Sequence, residues 1–234
     1  MLQSSGLPRS GNGRHREIEM WNRLSTDGPV DETQVGGKAG SLIRLIRAGF
    51  RVPGGVVLTT AFFAGWIEQI VSSETWHAVV ERAGDPDGAA FRLACSELGK
   101  SAANLVSSPA QREALAAATA ELGPGPFAVR SSSPEEDLEG ASFAGLYETV
   151  LSVGCDEFER AVRTCFESCL APRVLLYKRE MDLASLSPSI AVVIQEQIAS
   201  ETSGVAFSLN PLTNDYDELL INASWGLGEA LVSG

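Results

Sequence analysis

The four residues Gly123-Pro124-Gly125-Pro126 divide this chain into two textures, and a lobe boundary is expected near them. Ahead of them, apolar residues recur at helical spacing through 38–48, 61–71, 74–83, 89–100 and 109–121. Gly49 stands where a helix C-cap belongs, and Ser108, Pro109 and Gln111 spell an N-cap, a first helical position and a capping-box partner. One short strand, Val56-Val57-Leu58, follows the turn Val52-Pro53-Gly54-Gly55 and runs into Thr59 and Thr60, which are placed to cap the next helix. Beyond the Gly-Pro pairs, extended runs are predicted at 127–129, 149–151, 190–197, 204–209 and 218–222, with helices at 156–170 and 173–181. Helices first, then strands with interspersed helices, predict an α+β architecture. Residues 1–16 have no hydrophobic period and read as a flexible tail. The expected division is a helix-rich lobe over 17–125 and a second lobe over 126–234.

Charge and residue supply narrow the chemistry. Thirty acidic against eighteen basic residues give a net charge of −12, the wrong sign for a surface that grips a nucleic-acid backbone. Neither a membrane-spanning run nor a secretory leader is present in the sequence, so the expectation is a cytoplasmic protein without a membrane partner. The four cysteines form no C-x-x-C pair, and the only histidines are His15 and His77. A zinc site or a Ser-His-Asp hydrolase therefore has little to be built from.

Familiar phosphate-binding signatures are also missing. A P-loop ending at Gly37-Lys38 would need Gly at Glu32 and Ser or Thr at Ala39, and Gly226-Leu227-Gly228 meets Leu231 where a dinucleotide fingerprint has its third glycine. Three glycine-bearing stretches remain. Gln34-Val35-Gly36-Gly37-Lys38-Ala39-Gly40-Ser41 puts a lysine at a helix start, where amides and the helix dipole favour anions; taken alone, the stretch is better read as a helix opened by a glycine turn with a solvated lysine. Phe127-Ala128-Val129-Arg130-Ser131-Ser132-Ser133 ends an apolar strand in an arginine and three hydroxyls ahead of Gly140-Ala141-Ser142-Phe143-Ala144-Gly145. That pattern suits convergence on phosphate oxygens, because an arginine directly after core residues needs a partner. The third, Ala191-Val192-Val193-Ile194-Gln195 with Ser203-Gly204-Val205 and Gly226-Leu227-Gly228-Glu229, could wall an adenine ring or be a core strand.

In this order, the stretches resemble the ATP-binding domain of the phosphoenolpyruvate synthase and pyruvate phosphate dikinase family, which includes the rifampicin phosphotransferases. The carriers are Val35-Gly36-Gly37-Lys38-Ala39, Val52-Pro53, Val129-Arg130-Ser131-Ser132, Glu136-Asp137-Leu138, Ala141-Ser142-Phe143-Ala144-Gly145, Gly204-Val205 and Gly226-Leu227-Gly228-Glu229-Ala230-Leu231-Val232-Ser233-Gly234. The resemblance spans residues 35–234 and implies an ATP-grasp-like fold, two lobes clamping a nucleotide, C-terminally incomplete here. It implies that ATP phosphorylates a histidine on a separate domain, which passes phosphate to pyruvate or another hydroxyl acceptor.

Matched position by position, Lys38 and Arg130 look like the phosphate-gripping cations, Gly145 and Thr149 like contacts from the phosphate-covering loop, and Gln195 like the residue beside the adenine. The cofactors so implied are ATP and Mg²⁺, with the family's metal ligands beyond this chain and catalytic residues not assignable. The implied partners are ATP and a phosphohistidine domain or downstream polypeptide. A non-catalytic nucleotide-binding or interaction module is the alternative. Ser133, Leu146-Tyr147 and Phe207-Ser208 depart from the family's usual residues.

Overall fold

The computed structural model describes residues 19–25, 27, 28, 30–84, 88–135, 146–180, 187–229 and 231. The expected tail over 1–16 and the glycine loop ending at Gly145 lie outside them. The fold is mixed α and β. Its centre is a five-stranded sheet in the order β1-β2-β5-β3-β4, formed by β1 (Trp21–Arg23), β2 (Gly55–Leu58), β3 (Phe127–Ser132), β4 (Thr149–Val153) and β5 (Ala191–Glu196). Every pairing is antiparallel. Strands from both sides of residue 125 share this sheet, because β2 pairs with β5, Val57 opposite Val193.

Alternation along the strands sorts their side chains onto two faces. Phe127, Val129, Val192 and Ile194 enter the larger core, with α2 (Thr60–Val71), α4 (Ala89–Ala103) and α6 (Phe158–Ser168). There Phe63 stacks on Phe166 at 5.8 Å and Trp66 meets the same ring edge-on. Such packing accounts for the unbroken apolar run of β5, whose residues Ala191 to Ile194 are fully buried. The opposite face carries a smaller core of Val57, Ala191 and Val193 beneath Val35, Ala39 and Ile43 of α1 (Glu32–Arg47).

The helix signals act as expected. Gly49 is the left-handed residue after the α1 C-cap, with Gly49 N–H on Ile46 O and Phe50 N–H on Leu45 O, the paired bonds of a Schellman ending. Ser108 and Gln111 close a capping box on α5 (Pro109–Thr119). Thr59 occupies the N-cap position of α2, but its hydroxyl donates to Glu19 O instead of capping. Helices α3 (Glu74–Arg82) and α7 (Pro172–Glu180) complete the set. Separate from the main sheet, β6 (Thr202–Phe207) and β7 (Leu220–Trp225) pair, among the described residues, only with each other.

Candidate functional site

The glycines of α1 fix where its lysine goes. The helix opens at Glu32 under an Asp31 cap, six residues earlier than its apolar spacing suggests, and kinks at Gly36, whose φ of 77° is left-handed. After the kink, α1 is stitched to the end of β3: Gly37 N–H donates to Ser133 O at 3.2 Å, Ala39 N–H to Ser132 Oγ at 3.0 Å, and Ser132 Oγ–H to Val35 O at 2.8 Å. Lys38 sits between the two anchored amides and is half-buried.

These bonds correct two sequence expectations. The Gly37 and Ala39 amides are consumed by the protein and are not offered to an anion. Nor do the three serine hydroxyls converge on a ligand. Ser131, Ser132 and Ser133 are buried, and their hydroxyls donate to Glu148 O, Val35 O and Ser189 O. Each fastens the strand end to a different neighbour, which satisfies buried polar groups.

Arg130 is placed differently. Ser132 faces α1 and Val129 faces the larger core, so alternation puts Arg130 and Ala128 on the α1 side. Arg130 lies directly opposite Thr149 on β4 and Val193 on β5, and Ala128 lies opposite Gln195. The core under α1 ends at Val193; beside it Arg130 and Ala128 are half-buried and Thr149 is exposed. Among the described residues the Arg130 guanidinium makes no hydrogen bond or ion pair. Gln195, 6% exposed, donates through Nε2 to Pro53 O at 3.1 Å, which fixes the polarity of its amide.

Below the strands, Cys165 packs against Val129 O and Glu148 O. Burial pushes its thiol up to about 12; Glu148 adds to the rise and Lys38 opposes it. The structure thus gathers Arg130, Thr149 and Gln195 on one sheet face with Lys38 at its rim. Gly145 lies outside the described residues. A cavity of about 600 Å³ between β1 and α5 is lined by Trp21, Arg23 and Glu113 and by none of these four residues.

Sequence reasoning missed Pro53 as the group that orients Gln195, and it missed Lys178 and Arg173 on α7. Lys178 was findable: it follows Val174 by four positions, on the face that Val174 and Leu175 bury.

A profile of the family described as "Pyruvate phosphate dikinase, AMP/ATP-binding domain" matches residues 32–234. The chain belongs to this family. Relatives of this pyruvate phosphate dikinase AMP/ATP-binding domain extend over nearly all of it. An uncharacterized phosphotransferase, YvkC, of Bacillus subtilis is 41% identical over 216 residues, 92% of this chain and 24% of that protein. Phosphoenolpyruvate synthase of Aeropyrum pernix is 34% identical over 210 residues, 86% of this chain and 25% of the relative. Rifampicin phosphotransferase of Streptomyces sviceus is 33% identical over 211 residues, 88% and 24% respectively. This AMP/ATP-binding domain therefore spans about a quarter of the length of these relatives. No described helix is long and apolar enough to cross a membrane.

Proposed function

We propose that the chain binds ATP against the α1 side of the five-stranded sheet and serves as the nucleotide-binding segment of a dikinase-type phosphotransferase. Arg130 carries the reading. A half-buried guanidinium presents five N–H donors and no acceptor, and this one has no protein partner among the described residues. It stands on the sheet face shared with Gln195, opposite Thr149. Phosphate oxygens suit that donor set, and Lys38 at the rim adds a second positive charge.

In this reading the second lobe of an ATP-grasp-like clamp covers the nucleotide from the other side. Gln195 lies toward the base and Thr149 toward the phosphates, with Gly145 assigned to the phosphates by the family resemblance alone, and a histidine on a separate domain or downstream polypeptide receives the phosphoryl group. Pyruvate or another hydroxyl compound is its final acceptor. Phosphoryl transfer depends mainly on positioning and charge stabilisation, so the contribution of this chain is to hold the triphosphate chain in place with Lys38 and Arg130. Mg²⁺ belongs with bound ATP in such chemistry. No described group of three or more His, Cys, Asp or Glu side chains is arranged for a metal.

Isothermal calorimetry with MgATP tests the reading. Arg130→Ala and Lys38→Ala should each weaken binding by roughly 1.5–3 kcal/mol, the range of a charge-assisted contact. A folded wild-type chain that takes up no ATP at millimolar concentration would overturn it.

A further inference from the structure

Helix α7 is fastened next to one end of each of the strands that carry Arg130, Thr149 and Gln195: past the end of β3 and ahead of β4 and β5. Lys178 is the charged residue buried completely among those described. Its Nζ lies 2.6 Å from Oε2 of Glu135, just after β3, and donates to Ser187 O at 2.9 Å, ahead of β5. Five residues earlier, Arg173 donates from Nε to Leu146 O at 2.9 Å and from Nη2 to Glu148 Oε1 at 2.6 Å, ahead of β4. The chain segments leading out of β3 and into β4 and β5 are thus fastened by two side chains of one helix.

We propose that Lys178 and Arg173 are positioning residues for the nucleotide: α7 sets the relative placement of Arg130 and Thr149, and through them the affinity for phosphate. The proposal rests on the ATP-binding reading above. Stability alone is a weak reason for Lys178. Removing an ammonium and a carboxylate from water offsets much of their attraction, and well-packed apolar residues often hold a core equally well. What an apolar pair lacks is direction. The Lys178 ammonium donates a hydrogen bond to Ser187 O on one strand's approach and pairs by charge with Glu135 past the end of another, and the Arg173 fork fixes a third. A guanidinium and a hydroxyl that share one ligand need such a supporting layer, because small displacements weaken both contacts together.

The test measures MgATP and adenosine affinities of the whole chain for wild type, Lys178→Met, Lys178→Arg and Arg173→Ala, beside their melting temperatures. Adenosine binds without the phosphate contacts, so a positioning role and a stabilising role separate. Lys178→Met and Arg173→Ala should lose about tenfold in ATP affinity, the scale of one charge-assisted contact, while adenosine affinity stays unchanged. Lys178→Arg should restore most of the loss, and adding either loss-of-function change to Arg130→Ala should weaken ATP binding by clearly less than tenfold, since only the Thr149 contact is then left to displace.

Unchanged ATP affinity in folded variants would overturn the proposal, as would losses equal for ATP and adenosine or additive with Arg130→Ala. Should Lys178→Met fail to fold, the half-exposed Arg173 decides by the same criteria. A wild-type chain that binds no ATP removes the functional reading, and this proposal with it; wild-type binding with unmoved variants removes the proposal alone.

Discussion

A Cβ added to Gly36 would lie deep inside the van der Waals envelope of the Ser132 carbonyl, and the Gly36 backbone is already left-handed at φ 77°. Two requirements meet at one residue: close approach of α1 to β3 and a conformation that L side chains avoid. Neither atom is the tip of a flexible side chain, so relief requires α1 and β3 to part. Gly36→Ala should cost about 2–5 kcal/mol, the left-handed penalty plus overpacking, in urea unfolding. It should also displace Lys38 and weaken ATP binding in whatever fraction stays folded. Wild-type stability in this variant would show that the contact can relax.

The same contact shows what the sequence could and could not convey. Spacing identified the helices and the buried strands, since a period of 3.6 or an apolar run depends on local order. A family resemblance names Lys38, Arg130, Thr149 and Gln195, and strand pairing puts the last three on one face of the sheet. The sequence did not reveal that Ser131, Ser132 and Ser133 are fasteners, because a hydroxyl looks the same whether it meets phosphate or a carbonyl 97 residues away. Strand β1 escaped notice for a related reason. Three residues at a sheet edge carry no period, and Trp21–Arg23 is defined by its pairing with β2.

Ser152 adopts φ 56° on β4, and its amide donates to Gln197 Oε1 at 2.6 Å. The strand is irregular here, with a register shift opposite Phe127 and Val129, and the Gln197 side chain takes up the amide. Ser152→Val should destabilise by about 1–2 kcal/mol because β-branching is poorly tolerated at positive φ. Ser152→Gly should be neutral or gain a few tenths of a kcal/mol, as relief of strain slightly exceeds the added freedom of the unfolded chain. Thermal melts of the pair check the sign; equal melting temperatures would mean that φ at 152 is not under strain.

The β6–β7 hairpin should open more readily than the main sheet. Among the described residues its strands pair only with each other, and Ile221 and Trp225 are 64% and 84% exposed, whereas Val192, Val193 and Ile194 are completely buried. Local opening free energy follows buried contact, so native-state hydrogen exchange at Val205 and Ile221 should run at least about tenfold faster than at Val193 and Ile194. Equal protection would show that the hairpin opens only with the sheet.

Three of the four thiols should be silent toward a disulfide reagent at pH 8. Cys95, Cys165 and Cys169 are buried, and desolvation raises all three, Cys165 and Cys169 to about 12 from an ordinary 9. The thiolate is the reactive species, so burial removes both access and ionisation. Exposed Cys155 should give the only fast phase, and Cys155→Ser should abolish it. The same shifts set a sign for alkaline stability. Between about 9 and 12 the unfolded chain has released protons that the folded chain still holds at Cys165 and Cys169, so stability present below 9 falls as pH rises through that window. Replacing both by Ala removes these titrations along with their packing. The double variant should be less stable than wild type at pH 7, and the gap should narrow as pH climbs past 9. A gap that stays constant with pH would mean that the two thiols ionise alike in the folded and unfolded chains.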